Sequence, residues 1–62
     1  MILEAVWFKN GKEIGWVDHV KDIRYDQHID NISNIEVYNG CAWYSAEDYE
    51  EVPDDFVIRI KR

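Results

Sequence analysis

The densest group of residues that could do chemistry is SAEDYEEVPDDF, residues 45–56, which we call the acidic segment. Closely spaced carboxylates can bind a divalent cation or present negative charge to another molecule. An EF-hand calcium loop requires D-x-[DN]-x-[DN]-G and a closing glutamate. The acidic segment has neither that spacing nor a glycine, so we expect no metal site there. Its six carboxylates, without a basic residue among them, are Glu47, Asp48, Glu50, Glu51, Asp54 and Asp55.

The two histidines are the next candidates. On a strand, His28 would share a face with Asp26 and Asp30, and two flanking carboxylates could help bind a metal or raise the pKa of the imidazole. Alternation alone produces such trios on any solvent-exposed strand face, which is the simpler interpretation. His19 adjoins Asp18, but adjacent strand residues face opposite ways. We expect His19 to be partly buried with one hydrogen bond.

Cys41 is the single cysteine, so an internal disulfide is excluded and nothing indicates an oxidising compartment. A reactive thiolate needs a nearby base and positive surroundings. Here the expected cross-strand neighbour is Tyr38 and the sequence nearby is acidic, so we expect an unreactive side chain. The chain also has no glycine-rich phosphate loop, serine elbow or paired zinc motif. The sequence therefore predicts no enzyme, no metal and no cofactor.

Two Asn-Gly pairs, Asn10-Gly11 and Asn39-Gly40, lie between runs of strand-forming residues. Asn-Gly is a strong hairpin signal because both residues accept the positive φ of a type I′ turn. Two hairpins are predicted around these turns, formed by residues 2–9 with 12–20 and by residues 35–38 with 41–45.

Weaker signals complete the predicted sheet. Ile23, Tyr25 and Ile29 could occupy one face of a third strand. In residues 56–62, Phe56, Ile58 and Ile60 alternate with Val57, Arg59 and Lys61, as in a last strand with one partly solvated face. Ser45 is a good helix N-cap, but Pro53 follows closely. Residues 1–62 are thus predicted to be a single all-β domain: a small antiparallel five- to six-stranded meander or barrel-like sheet with one short helical turn near residues 46–51.

The register of the first hairpin predicts which side chains share a face. A two-residue turn places Trp7 opposite Ile14 and Ala5 opposite Trp16, with all four on the core face. We also expect Trp43 in the core. The other face of this hairpin is apolar as well, so we expect it to be covered by a second copy of the chain in a homodimer or higher oligomer. The residues assigned to this oligomer interface are Val6, Phe8, Val17 and Tyr38.

The charge of the chain is concentrated in one place. Of 13 acidic residues against 7 basic ones, six lie in the acidic segment, so the rest of the chain is neutral and the segment carries the net charge of −6. A chain of this charge is not expected to bind nucleic acid directly. No apolar run approaches the roughly 18 residues of a membrane span, and residues 1–8 lack the features of a secretory signal. We expect a cytoplasmic protein without membrane contact.

These features favour a non-enzymatic binding protein, an inhibitor or adaptor that engages a basic protein surface, as on a nucleic-acid-binding protein or complex. In composition the chain is similar to the small inhibitors carried by phages and mobile elements, and that resemblance implies a counter-defence role such as that of an anti-CRISPR. The residues expected to bind the partner are Glu47, Asp48, Tyr49, Glu50, Glu51, Asp54 and Asp55.

Three alternatives remain open. The acidic segment could be an ordinary solvated loop. The chain could form an oligomer that sequesters a nucleotide-like ligand in pockets between subunits, or it could be a structural subunit of a larger particle. In the ligand hypothesis, Trp and Tyr rings stack a base. The cations available for its phosphate are Arg24, Arg59, Lys61 and Arg62.

Overall fold

The computed structural model describes residues 1–25 and 32–61, with the backbone but not the side chain of Asp48. This part of the chain consists of short strands and two 3-10 helices. The strands are β1 (Ile2–Lys9), β2 (Lys12–Asp18), β3 (Asp22–Arg24), β4 (Glu36–Tyr38), β5 (Trp43–Tyr44) and β6 (Asp55–Lys61), and the 3-10 helices are Ile32–Asn34 and Ala46–Asp48. The all-β prediction is confirmed, and Ala46–Asp48 is the short helical turn expected near residues 46–51.

The strands form two three-stranded sheets instead of a single meander. The first sheet has the order β2-β1-β6 and the second the order β3-β4-β5, and all pairings are antiparallel. Ala5, Val6 and Trp7 of β1 are each 0% exposed. Because burial of apolar surface drives folding, this strand, apolar on both faces, takes the centre of its sheet. That position brings the last strand, β6, beside the first.

The first hairpin has the predicted turn. Asn10 and Gly11 have φ values of 52° and 79°, the two positive values that a type I′ turn requires. Lys9 pairs with Lys12, as the two-residue turn predicts. The turn therefore fixes the start of the register.

A bulge then changes the register of this hairpin. Phe8 pairs with Glu13 but Trp7 pairs with Gly15, so Ile14 is an extra residue. The predicted pairs of Trp7 with Ile14 and of Ala5 with Trp16 are wrong, because one inserted residue moves every later side chain to the opposite face. Trp16, predicted in the core, is 62% exposed, and Val17 is 7% exposed and belongs to the core.

The second hairpin has a longer turn than predicted. Val37 pairs with Tyr44 and Tyr38 with Trp43, so residues 39–42 form the connection. The Asn39 carboxamide oxygen accepts hydrogen bonds from the backbone N–H groups of Cys41 and Ala42, both at 2.9 Å. An asparagine side chain that binds its own turn in this way replaces the two-residue geometry. The expected pairing of Tyr38 with Cys41 is therefore wrong, and Cys41 is exposed in the turn.

One hydrophobic core joins the two sheets. It contains residues of β1, β2, β4 and the second 3-10 helix: Ala5, Trp7, Val17, Val37 and Ala46. The chain crosses between the sheets at two consecutive residues. The N–H of Val20 donates to the Leu3 carbonyl at 3.0 Å, and the N–H of Lys21 donates to the Tyr38 carbonyl at 2.8 Å.

The predicted third strand is shorter than expected. β3 covers Asp22–Arg24, and Ile23 is 44% and Tyr25 51% exposed. Ile29 and the candidate trio Asp26, His28 and Asp30 lie outside the described residues.

Candidate functional site

The acidic segment begins with a capped turn. Ser45 has extended backbone angles, and its hydroxyl accepts a hydrogen bond from the Glu47 N–H at 3.4 Å. Ala46 is 2% exposed in the core, and the N–H of Tyr49 donates to its carbonyl at 3.1 Å. A serine at the N-cap supplies the acceptor that a helix start lacks. The first turn of the segment is thus attached to the core through Ala46.

Tyr49 attaches the middle of the segment to the first sheet. Its ring meets that of Trp7 edge-on, with centroids 6.0 Å apart, and also lies directly against Gly15. A β-carbon at position 15 would overlap the Tyr49 ring, so the glycine creates the space for it. Tyr49 was predicted as an aromatic contact for a partner. It is half-buried against its own chain, which leaves only part of the ring exposed.

Asp54 attaches the end of the segment to the first hairpin turn. Its N–H donates to the Phe8 carbonyl at 2.9 Å, and its carboxylate accepts from the Asn10 N–H at 3.1 Å. Pro53, just before it, is buried. The acidic segment is therefore fixed at three places along its length.

The described carboxylates of the acidic segment lie in solvent, without basic partners among the described residues. Those whose side chains are described are all exposed, and none of them makes an ion pair with another described residue: Glu47, Glu50, Glu51, Asp54 and Asp55. Elsewhere in the described chain, four carboxylates are paired with cations: Glu4, Glu13, Asp18 and Glu36. The negative charge of these side chains is thus not neutralised by any ion pair with the described part of the chain.

Two cationic side chains of β6 lie across β1 on the outer face of the first sheet. The Arg59 guanidinium is 2.6 Å from Glu4 on β1 and 2.7 Å from Glu13 on β2, while the Lys61 ammonium is 2.6 Å from Asp18 on β2. Because β1 lies between β6 and β2, both side chains must span it. We call these the cross-sheet ion pairs.

These contacts change the acidity of the groups involved. Hydrogen bonds from Arg59 to Glu4 and then Glu13 raise the pKa of the guanidinium. The hydrogen bond from Lys61 lowers the pKa of Asp18 below its usual value of 3.8, and the same bond raises the pKa of Lys61 above 10.5. Each ionised form is therefore favoured by its partner.

The expected oligomer interface lies largely inside the single chain. Val6 is 0% and Val17 7% exposed, and Phe8 and Tyr38 are half-buried. Val6 shares the outer face with its cross-strand neighbours Trp16 and Val57 and with the cross-sheet ion pairs. The chain thus covers much of this apolar face itself.

Arg24 contacts a carboxylate and an aromatic ring on the second sheet. Its guanidinium is 2.9 Å from the Glu36 carboxylate and 4.1 Å from the centroid of the half-buried Trp43 ring, which in turn packs against Tyr38 with centroids 5.1 Å apart. The hydrogen bond to Glu36 raises the pKa of Arg24 and lowers that of Glu36. Arg24, Arg59 and Lys61, considered for a ligand phosphate, all bind carboxylates, and Arg62 lies outside the described residues.

Two of the open clefts lined by described residues adjoin the acidic segment. One, of about 410 Å³, is lined by Ile14, Tyr49, Glu50 and Glu51, which combines an apolar floor with two carboxylates. The other, of about 390 Å³, lies beside β2, and its lining includes Trp16, Asp18, His19, Tyr44 and Tyr49.

His19 is exposed, and the prediction of a partly buried histidine is wrong. It has a φ of 58°, a left-handed conformation in which the chain leaves β2 at the sheet edge.

No group of three or more His, Cys, Asp and Glu residues in the described ranges is arranged to hold a metal ion. No helix within these ranges has the length and apolar character needed to cross a membrane. Comparison of the chain with protein-family models, with curated proteins and with solved structures finds no match.

Proposed function

We propose that the protein is a small non-enzymatic binding protein whose acidic segment engages a basic surface of a partner protein. The observation that carries the proposal is the contrast in charge pairing. The segment's described carboxylates are exposed and make no ion pair, whereas four of the five other described acids are bound by Arg24, Arg59 or Lys61. Carboxylates that make no ion pair within the chain remain able to attract a positively charged partner, and this attraction speeds and orients association.

The attachment of the segment supports binding more than simple solvation. Ala46, Tyr49 and Asp54 hold it against the core and the first hairpin turn. A segment already held in one conformation loses little conformational entropy when it binds, so more of its electrostatic attraction contributes to affinity. An ordinary solvated loop has no need of three attachments.

The cleft between Ile14, Tyr49, Glu50 and Glu51 supplies a docking point of matching chemistry. A lysine or arginine side chain carries an apolar stem and a charged head. In this cleft the stem would lie on Ile14 and Tyr49, and the head would meet the two glutamates. The partner is therefore a protein that projects basic side chains, as surfaces that bind nucleic-acid phosphate do.

On this basis we extend the proposal to an inhibitor that occupies such a surface in place of nucleic acid. A phage or mobile-element protein that blocks a nucleic-acid-binding defence complex, as anti-CRISPRs do, is one instance. The composition of the chain and its concentrated negative charge support this extension.

The first prediction tests the segment directly. Replacing Glu47, Glu50 and Glu51 together by Gln removes three exposed charges and takes the net charge from −6 to −3. We expect the affinity for the partner to fall by about 10- to 100-fold, the scale of electrostatic steering. The partner is first isolated with the wild-type chain as bait, and affinities are then measured with the purified partner by titration calorimetry.

A charge-matched control separates the segment from the total charge. Asp22→Asn, Asp26→Asn and Asp30→Asn together also give a net charge of −3, but these positions lie outside the segment. This variant should bind the partner nearly as well as the wild type. Equal loss in both variants, or no loss in the first, would contradict the proposal.

A second candidate function is supported by the cleft beside β2, where the rings of Trp16 and Tyr44 are 62% and 44% exposed. These rings could stack a planar ligand. Because Arg24, Arg59 and Lys61 already bind carboxylates, the ligand suited to this cleft is a nucleobase or similar ring without phosphate. This function would be favoured if adenine quenched Trp16 fluorescence and if the quenching disappeared in Tyr44→Ala.

A further inference from the structure

β6 (Asp55–Lys61) is a sheet edge with unused hydrogen-bonding capacity. Among the described residues it pairs only with β1, along its whole length of seven residues. Its other side therefore presents backbone N–H and C=O groups that no described strand pairs with. Such an edge is a template for another strand.

The usual protection of an exposed edge is weak on β6. Edge strands commonly avoid pairing through charged side chains, proline or bulges. The two basic residues of β6, Arg59 and Lys61, reach back across β1 to Glu13 and Asp18. The pairing of β6 with β1 is regular from Asp55 to Lys61, and the strand contains no proline.

The inner face of the same edge exposes apolar side chains. Phe56, Ile58 and Ile60 alternate along β6 on the face that bears Ala5 and Trp7. Phe56 packs against Trp7, with centroids 5.1 Å apart, whereas Ile58 is 40% and Ile60 57% exposed. Burial of these two isoleucines would add to the hydrogen bonds of a new strand pair.

The sequence of β6 is complementary to itself. In an antiparallel pair of two copies centred on Ile58, Asp55 lies opposite Lys61, Phe56 opposite Ile60, and Ile58 opposite Ile58 of the second copy. Apolar side chains then meet on the inner face, the combination that stabilises cross-strand pairs. On the outer face Val57 comes opposite Arg59 and Asp55 opposite Lys61, but Lys61 is already bound to Asp18 and the Asp55 carboxylate accepts the Phe56 N–H at 2.8 Å. This register pairs all seven residues, and a slip of one residue would place apolar against polar positions.

We propose that two copies of the chain associate through β6, antiparallel and centred on Ile58, to form a continuous six-stranded sheet across a twofold axis. The interface is isologous, as in most homodimers. It differs from an interface at Val6 and Val17, which the single chain already buries. It shares Asp55 and Phe56 with the end of the acidic segment but does not use Glu47, Glu50 or Glu51. Substitutions at those three glutamates therefore test the proposed partner binding separately from the dimer.

Cysteine cross-linking tests the register, with Cys41→Ser as the background because Cys41 is the only native cysteine. In that background Ile58→Cys places two thiols opposite each other at the twofold axis. Ile60→Cys is the matched control, because its two copies are four residues apart along the strand, about 13 Å. A disulfide requires α-carbons within about 7 Å. We expect mild oxidation to give a covalent dimer with Ile58→Cys and not with Ile60→Cys.

Sedimentation equilibrium tests the association itself. The apparent mass of the wild-type chain should rise towards that of a dimer as its concentration is raised. Ile58→Lys should raise the dimer dissociation constant by about tenfold or more, the effect expected at the centre of an interface. Ile23→Lys, a change at a similarly exposed isoleucine on the second sheet, should leave that constant unchanged.

Circular dichroism of both lysine variants checks that the fold is retained. A strictly monomeric wild-type chain would overturn the proposal. So would equal cross-linking of the two cysteine variants, or no cross-linking with Ile58→Cys.

Discussion

At the scale of single residues, Gly15 and Tyr49 form the contact that joins the acidic segment to the first sheet. The ring occupies the space where a side chain at position 15 would begin, and it also packs edge-on against the fully buried Trp7. Any larger residue at position 15 must displace the ring. The position of the acidic segment is therefore sensitive to a single methyl group on the neighbouring strand.

Gly15→Ala should destabilise the protein by about 1–3 kcal/mol, the usual cost of overpacking a well-packed site. Urea unfolding followed by Trp fluorescence measures the loss. Gly15→Ala in a Tyr49→Leu background should cost much less, because the ring is no longer there to be displaced. A double-mutant cycle without coupling between the two positions would contradict this account.

Residue 15 also shows what the sequence can and cannot reveal. An isolated glycine in a strand indicates a bulge or a close approach by other atoms, and both occur at Gly15. That signal could have corrected the predicted pairing of Ala5 with Trp16. It does not indicate that Tyr49, 34 positions later, is the group that approaches.

At the scale of elements, the cross-sheet ion pairs hold the three strands of the first sheet together on its outer face. Lys61 and Arg59 on β6 reach Asp18 and Glu13 on β2 over the central strand. Their aliphatic stems must lie over β1, where long cationic side chains can cover apolar surface. This arrangement accounts for a face that looks too apolar for solvent in the sequence yet needs no partner to bury Val6.

The contact of Lys61 with Asp18 makes the stability of the first sheet depend on pH. The pKa of Asp18 is below 3.8 in the folded protein, so the bond contributes stability above that pH and loses it as the pH falls through the folded-state pKa. Conversely, the pKa of Lys61 lies above 10.5, so the contribution is present below that pH and is lost as the pH rises through the folded-state pKa.

We therefore expect Lys61→Met to lower the free energy of unfolding at neutral pH and to have a shrinking effect as the pH falls below about 4. Urea unfolding at a series of pH values measures the difference from the wild type. Lys12→Met, at an exposed lysine that makes no ion pair with the described residues, is the control and should show no such trend. A difference for Lys61→Met that stays constant down to pH 2 would contradict the assignment.

The two hairpins differ in how far their registers could be predicted. Asn10-Gly11 sets the first turn correctly, but one extra residue at Ile14 reverses the faces beyond it. In the second hairpin, the Asn39 side chain lengthens the connection and shifts the pairing by two residues. A shift of two keeps every side chain on its predicted face, because the period of a strand is two. The predicted faces therefore remain correct when the register is shifted by two residues, and they are reversed when it is shifted by one.

At the scale of the whole molecule, the described carboxylates fall into two groups. Four are bound by cations, and those of the acidic segment make no ion pair with the described residues. The net charge of −6 and its concentration in residues 45–56 follow from the sequence alone. The attachment of Asp54 to Asn10 and of Arg59 to Glu4 could not be predicted, because these contacts join residues 44 and 55 positions apart. Contacts of such long range depend on the tertiary fold and not on local patterns.

The two proposed interfaces should respond to salt in opposite ways. Raising NaCl from about 50 mM to about 500 mM shortens the range of electrostatic forces severalfold. Binding of a basic partner by the acidic segment should weaken, because attraction between exposed charges drives it. Dimerisation through β6 should be unchanged or stronger, because it buries isoleucines and brings together two chains of like net charge.

Titration calorimetry with the purified partner and sedimentation equilibrium of the protein alone measure the two responses. A variant with Glu47, Glu50 and Glu51 replaced by Gln should show a smaller salt effect in the first measurement and dimerise at least as well in the second. Parallel weakening of both associations by salt would contradict the assignment of separate surfaces to them.

The Asn10-Gly11 turn has a consequence for the chemical lifetime of the protein. Because glycine has no side chain, its backbone nitrogen can attack the preceding asparagine carboxamide, which releases ammonia and forms a succinimide. Hydrolysis then gives aspartate or isoaspartate, and both add a negative charge next to Asp54, whose carboxylate binds the Asn10 N–H. Isoaspartate also lengthens the main chain by one carbon within the turn that sets the register of β1 and β2. Deamidation at Asn10 would therefore loosen the acidic segment and the first hairpin together, and it would do so as stored protein ages.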